Sequence, residues 1–85
     1  MDTRCIVIAL IRPLPGKTAE VRAHLEAVIP EVHLESGCEF YALHQSTDDT
    51  LVFIEAWDTR EQWLEHTDGP AVADINKRLD GLLAS

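Results

Sequence analysis

The sequence predicts an α+β domain of the split βαβ kind, with elements in the order β-α-β-β-α and the final strand of that pattern missing. Three observations predict it. A β-branched apolar run near the start is cut off by prolines. A helix-period pattern follows. Two further strand-like runs then flank a short polar turn.

The first run, Cys5 to Arg12, is nearly all apolar and reads as a central strand buried on both faces. Pro13-Leu14-Pro15-Gly16 stops it, because proline cannot donate to a central ladder. Lys17 or Thr18 opens a helix. Its apolar residues Val21, Leu25, Val28, Ile29 and Val32 recur at helical spacing, with Glu20, Arg22, His24 and Glu26 turned away. Pro30 falls late, where it bends the helix or begins a new turn, and Ser36-Gly37 marks the exit.

Cys38 to Ser46 and Leu51 to Trp57 read as two strands of an antiparallel hairpin around Thr47-Asp48-Asp49-Thr50. With Asp48-Asp49 as the tip, Thr47 faces Thr50 and the register follows by counting back. One face then carries Phe40, Ala42, His44, Phe53, Glu55 and Trp57; the other carries Tyr41, Leu43, Val52, Ile54 and Ala56. The second face suits helix packing, and the first resembles a cavity wall. Asp58 or Thr59 caps a short helix holding Trp63 and His66, with Glu61 and Gln62 in its first turn. Asp68-Gly69-Pro70 breaks it. A last helix runs from about Ala71, with Val72, Ile75, Leu79 and Leu82 on one stripe.

At 85 residues the chain makes one domain, 1–85, with no linker or repeat. A core this small makes oligomerisation an expectation. Seven basic against 15 acidic residues leave a net charge of −8, which repels phosphate backbones, so neither nucleic acid nor an anionic membrane is an expected partner. The apolar stretch Cys5 to Ile11 is too short to span a bilayer and lacks the marks of a secretory signal. Cys5 and Cys38 provide no disulfide framework and no CxxC spacing, so a reduced, cytoplasmic protein is expected. The histidines at 24, 33, 44 and 66 show no metal-ligand spacing.

Chemistry-bearing residues concentrate late in the chain. Glu55 sits two residues before Trp57 on an apolar strand, so the two share a face. A carboxylate there is costly to bury without a partner. It either orients a histidine, accepts a substrate hydroxyl, or makes a structural bond or a pair at a subunit seam. His66 has an intrinsic pKa suited to a base, or it bridges helix and sheet backbone. His44 shares the predicted face of Glu55 and can pair with it. Trp57 stacks on a planar substrate or packs as core. Tyr41 is a phenol donor or a core residue. Trp63 reads as helix packing rather than substrate contact, and His24 and His33 as surface or helix-end residues.

Pro15-Gly16-Lys17, Glu35-Ser-Gly37-Cys38-Glu-Phe-Tyr41, Ile54-Glu55-Ala-Trp57 and Trp63-Leu-Glu-His66 follow in that order. Together they resemble the antibiotic biosynthesis monooxygenase domain, especially its quinol monooxygenase-like members. The resemblance implies a ferredoxin-like fold that pairs as a homodimer into a dimeric α/β barrel, with a pocket between sheet and helices. It implies oxidation of a quinol or phenolic polyketide-like substrate by dioxygen with no cofactor. On this reading His66 or His44 is the base and Glu55 orients it, while Trp57, Phe53, Phe40, Tyr41 and Trp63 form the aromatic slot. Family members usually have another strand after the last helix. Here the chain stops at Leu82-Leu83-Ala84-Ser85, so the sheet has three strands per subunit, closes differently, or belongs to a truncated product. Haem-degrading relatives use a last-helix histidine and a first-strand asparagine; Asn76 and Ala9 fall near those positions and count against haem. The rival readings are a non-catalytic dimeric small-molecule-binding module and, behind it, a haem-dependent oxygenase.

Overall fold

The computed structural model describes residues 3–85. Its elements are β1 (Cys5–Ile11), α1 (Thr18–His33), β2 (Cys38–Gln45), β3 (Leu51–Trp57), α2 (Arg60–Thr67) and α3 (Pro70–Arg78). The order matches the split βαβ pattern expected of the sequence. The strands form an antiparallel sheet in the order β1-β3-β2. The helices lie on one side of it and the other side is open.

β1 is therefore an edge strand, not the central strand that its sequence suggested. Cys5, Val7, Ala9 and Ile11 face the helices and are partly buried. Ile6, Ile8 and Leu10 point the other way, and Ile8 is 67 % exposed. The run is apolar on both faces, and its outer face is left exposed by the described residues.

α1 buries Val21, Leu25, Val28 and Val32, four of the five residues its periodicity singled out, and Ile29 is partly buried against the same core. Pro30 stays inside the helix, in its last turn. The N-terminus of α2 is capped by Thr59, whose hydroxyl accepts from the Gln62 amide at 3.2 Å. α3 begins at Pro70, where a missing N–H costs nothing. It packs through Ala71 and Ile75, with Leu79 following as its C-cap. After it, the Leu14 amide donates to the Leu82 carbonyl at 2.9 Å and the Ala84 amide to the Arg12 carbonyl at 2.7 Å. The last residues thus run antiparallel beside the end of β1.

The hairpin register is one residue away from the predicted one. Gln45 pairs with Leu51 and Leu43 with Phe53, so Tyr41 pairs with Glu55. The loop has three residues between Ser46 and Thr50, not a two-residue tip. The Ser46 amide donates to the Thr50 carbonyl at 2.9 Å, and the Asp49 amide donates to the Ser46 carbonyl at 3.1 Å. Asp49 takes a left-handed conformation (φ 68°). A two-residue turn of the kind hairpins favour needs φ above zero at one or both central positions, normally supplied by glycine or asparagine; this loop needs it once. A bulge between Cys38 and Phe40 then turns Cys38 inward and Phe40 outward.

Candidate functional site

The corrected register changes the company Glu55 keeps. Tyr41, Leu43, Phe53, Glu55 and Trp57 share the helix-covered face. Phe40, Ala42 and His44 lie on the opposite face with Val52, Ile54 and Ala56. The sheet therefore separates His44 from Glu55, and Phe40 from Trp57, against the sequence-based expectation. The reason is the extra loop residue, since a one-residue slip reverses every side chain of one strand.

Four of the expected residues do come together on the inner face, joined by His66 from α2. Among the described residues, Glu55 and His66 are the buried polar or charged side chains, each 5 % exposed. Trp57 donates its indole N–H to Glu55 Oε1 at 2.9 Å. The His66 ring lies 4.6 Å from the Trp57 ring, tilted by 32°. Tyr41 meets His66 edge-on at 5.6 Å and stacks on Phe53 at 4.4 Å. Trp63 is partly buried at the margin of this core.

One partner was missed in the sequence. Glu35, in the turn after α1, approaches His66 Nδ1 with both carboxylate oxygens, at 2.9 and 3.1 Å. The turn holds it there. Gly37 sits at φ +82°, and its carbonyl accepts from the Asp58 amide at 2.8 Å. A Cβ on Gly37 would also lie 2.2 Å from the Gln62 side chain at the start of α2. Glycine thus lets the α1–β2 turn sit directly against the β3–α2 junction. The available signal was an acidic residue two positions before a turn glycine, which does not reveal a partner 31 residues away.

Burial sets the electrostatics. It pushes the Glu55 carboxyl above its ordinary range; the indole N–H and His66 oppose the shift, and Glu35 adds to it. Burial likewise raises the Tyr41 phenol far above its usual value, helped by Glu55 and Glu35, so it stays protonated. The Cys38 thiol is raised by burial and by the same two carboxylates. The cluster can hold a proton on an imidazole or a carboxyl, donate from a phenol and stack on a planar ring.

Among the described residues, surface grooves include two away from this cluster and one that reaches Tyr41 from outside. One of about 410 Å³ runs between Pro13–Gly16 and the hairpin loop. A neighbouring one is lined by Thr18, Arg22, Gln45 and Asp49. A third follows the free edge of β2 past His33, Cys38 and Tyr41. There His33 donates from Nε2 to the Tyr41 carbonyl at 3.0 Å. Glu55, Trp57 and His66 line none of the three. Among the described residues, no group of three or more His, Cys, Asp or Glu could hold a metal ion, and no helix is long and apolar enough to cross a membrane.

The family model for antibiotic biosynthesis monooxygenase matches residues 4–78, which include the whole cluster. The chain belongs to the antibiotic biosynthesis monooxygenase family. It is 32 % identical over 84 residues to a Mycobacterium tuberculosis protein named "Putative monooxygenase Rv0793", covering 98 % of this chain and 83 % of that one. The solved structure of Rv0793 superposes with a TM-score of 0.87 at 31 % identity, over 96 % of this chain and 85 % of that chain. PA3566 from Pseudomonas aeruginosa superposes at 0.88 and 25 % identity, covering all of this chain and 88 % of the other. A Nitrosomonas europaea protein named "Putative antibiotic biosynthesis monooxygenase" reaches 0.91 at 17 % identity, over all of this chain and 84 % of that one, and shows the shared fold. The α+β, ferredoxin-like architecture of this family is thus the architecture of this chain, and a monooxygenase-like function goes with it.

Proposed function

We propose that this chain is a monooxygenase that oxidises a quinol or a phenolic polyketide-like substrate with dioxygen, as a homodimer and without a bound cofactor. The observation that carries the reading is the burial of Glu55 and His66 inside one aromatic cluster. Desolvating two ionisable groups is costly, and such groups concentrate where protons are moved.

In this mechanism His66 is the base. It takes the hydroxyl proton of the substrate, so that an O–H bond breaks and an N–H bond forms. The resulting anion is electron-rich and passes one electron to dioxygen; the radical pair joins in a C–O bond. The peroxide so formed loses water as its O–O bond and the C–H bond on the same carbon break. The substrate thus supplies all four electrons; one oxygen atom stays on it and the other leaves as water. Tyr41, held protonated, donates to the developing anion. Glu55, with its raised affinity for a proton, receives one from His66 or balances the imidazolium. Trp57 and Phe53 supply flat apolar walls, and Trp63 closes the margin. His44 and Phe40, on the other face, belong to the subunit seam. The free thiols of Cys5 and Cys38 accord with a reducing, cytoplasmic setting.

The dimer rests on the outer face. Ile6, Ile8, Leu10, Phe40 and Ile54 are each more than a third exposed and lie side by side across the three strands. An apolar patch of this kind marks an interaction site. Two copies packing these faces together would cover it. Light scattering that finds only monomer removes this part of the proposal.

A second reading has its own support. Trp57 is fully buried and Phe53 nearly so, and none of the three grooves is lined by Glu55, Trp57 or His66. That packing favours a non-catalytic dimeric module. Oxygen uptake with menadiol or an anthrone separates the two. The monooxygenase consumes oxygen above buffer, and His66→Ala lowers the rate about 10²- to 10⁴-fold. A rate equal to buffer leaves the binding module. A haemin titration with no Soret shift is expected on either.

A further inference from the structure

We infer that Glu35 is a positioning residue that fixes the tautomer of His66, placing the proton on Nδ1 and leaving Nε2 as the acceptor. The inference rests on the reading of His66 as the base and adds the group that sets which ring nitrogen does that work.

The geometry is specific. Both Glu35 oxygens lie within 3.1 Å of Nδ1. An ionised carboxylate offers only acceptors, so the hydrogen of this contact belongs to the imidazole. A neutral imidazole carries one N–H; with that hydrogen on Nδ1, the lone pair is on Nε2. Ring rotation is blocked on two sides, by Trp57 at 4.6 Å and by the edge of Tyr41 at 5.6 Å. The carboxylate is itself anchored, because the Gly37 turn is tied to β3 through the Asp58 amide and to α2 through Gln62, whose side-chain amide donates to the Ser36 hydroxyl at 3.3 Å. When His66 takes a proton on Nε2, the Nδ1–H bond to Glu35 becomes charge-assisted and stabilises the cation. Glu35 is not a wall of the aromatic cluster. It acts on the substrate only through His66.

Long-range ¹H–¹⁵N correlation spectra of the full chain, labelled at histidine and recorded where His66 is neutral, test this directly. The wild type is expected to show the Nδ1–H pattern for His66. Glu35→Ala, at a partly exposed turn position, is expected to release the ring toward the Nε2–H form that a free imidazole side chain prefers. In menadiol oxidation the same variant loses roughly tenfold or more in kcat, as orienting partners of histidine typically do. Its KM stays within about twofold, because no substrate contact is lost. Glu35→Gln, whose amide oxygen still accepts, retains more activity than Glu35→Ala. A wild-type His66 in the Nε2–H form overturns the inference, and needs no variant to fold. So does an unchanged tautomer in Glu35→Ala, whatever its activity. The two proposals fail separately: a tautomer that shifts in a chain that oxidises no quinol supports the role of Glu35 and removes the monooxygenase reading.

Discussion

The two faces of the sheet reverse the usual division between core and surface. The face under the helices is largely covered, yet it holds a carboxylate and a phenol, with an imidazole from α2 packed against them. The face open to solvent is almost all hydrocarbon, with Ile6, Ile8, Leu10, Ile54 and Phe40 exposed. Had folding of the single chain been the only constraint, the ionisable groups would sit outside and the isoleucines inside. Folding of the single chain alone therefore accounts for neither face. On the proposed function, the inner one serves proton chemistry and the outer one meets a second copy of the chain.

The largest effect is expected where the inner face is broken. Trp57→Ala removes a fully buried indole from the centre of the cluster and is expected to cost about 3–5 kcal/mol. A domain of this size is stable by only about 4–13 kcal/mol, so the loss takes up much of the total. Trp57→Phe sharpens the test. It keeps most of the packing but leaves Glu55 without its indole donor, for an expected loss of about 1–3 kcal/mol. Urea midpoints measure both. A Trp57→Phe variant as stable as the wild type would mean that the Glu55 bond counts for nothing.

The outer face should respond in another currency. Ile8→Asp places a charge in the middle of the exposed patch, opposite Ile54. Ile8 is already exposed in the single chain, so monomer stability should change by less than about 0.5 kcal/mol. Burial of one such side chain is worth about 1.5–3 kcal/mol, and each subunit contributes one. The dimer dissociation constant should therefore rise at least a hundredfold, readable by sedimentation at micromolar concentration. Loss of folding with no change in association would assign the patch to the single chain after all.

Much of this arrangement was legible in the sequence, and the failures have one physical root. Periodicity, caps and breakers placed all six elements, and four of the five residues of the predicted α1 stripe, Val21, Leu25, Val28 and Val32, are buried because a helix face is set locally. The hairpin register was misread because it depends on one loop residue. Thr47-Asp48-Asp49-Thr50 contains no glycine, which was the available hint that a two-residue tip was unsuitable. Counting three loop residues would have put Tyr41 beside Glu55 and sent His44 outward. β1 was misplaced for a related reason: an apolar run reports what its faces can bury, not which strands lie beside it. Glu35 was invisible because its partner is fixed by the close approach of two loops.

Glu55→Gln probes the electrostatic side of the inner face at lower cost, since the amide oxygen still accepts from Trp57. Burial raises the Glu55 pKa in the folded state above its unfolded value. Between those two values the folded chain binds more protons, so wild-type stability falls as pH rises through the window. Below the unfolded value the carboxyl is neutral in both states and the penalty is absent. The variant carries no such charge, and its stability relative to wild type should improve from pH 4 to pH 7. A constant difference across that range would mean that Glu55 keeps an ordinary pKa.

The smallest effect should come from the hairpin loop, where the sign is opposite. The Asp48 carboxylate accepts from the Ser46 hydroxyl and, at 3.0 Å, from the Thr50 amide. These bonds, the Ser46 one foremost, hold its pKa down to about 2. The folded state therefore binds fewer protons than the unfolded chain between about pH 4 and pH 2. The stability contributed by Asp48 is fully present above that window and is lost as pH falls through it. Asp48→Asn removes the ionised acceptor, so the wild-type advantage should shrink steadily as the solution is acidified. Because the carboxylate is exposed, added salt should weaken the same advantage at neutral pH. Glu55 should respond far less to salt, because the helices keep counterions from it. A salt response of equal size at the two carboxylates would erase the distinction between an enclosed group and an open one on which the contrast of the two faces depends.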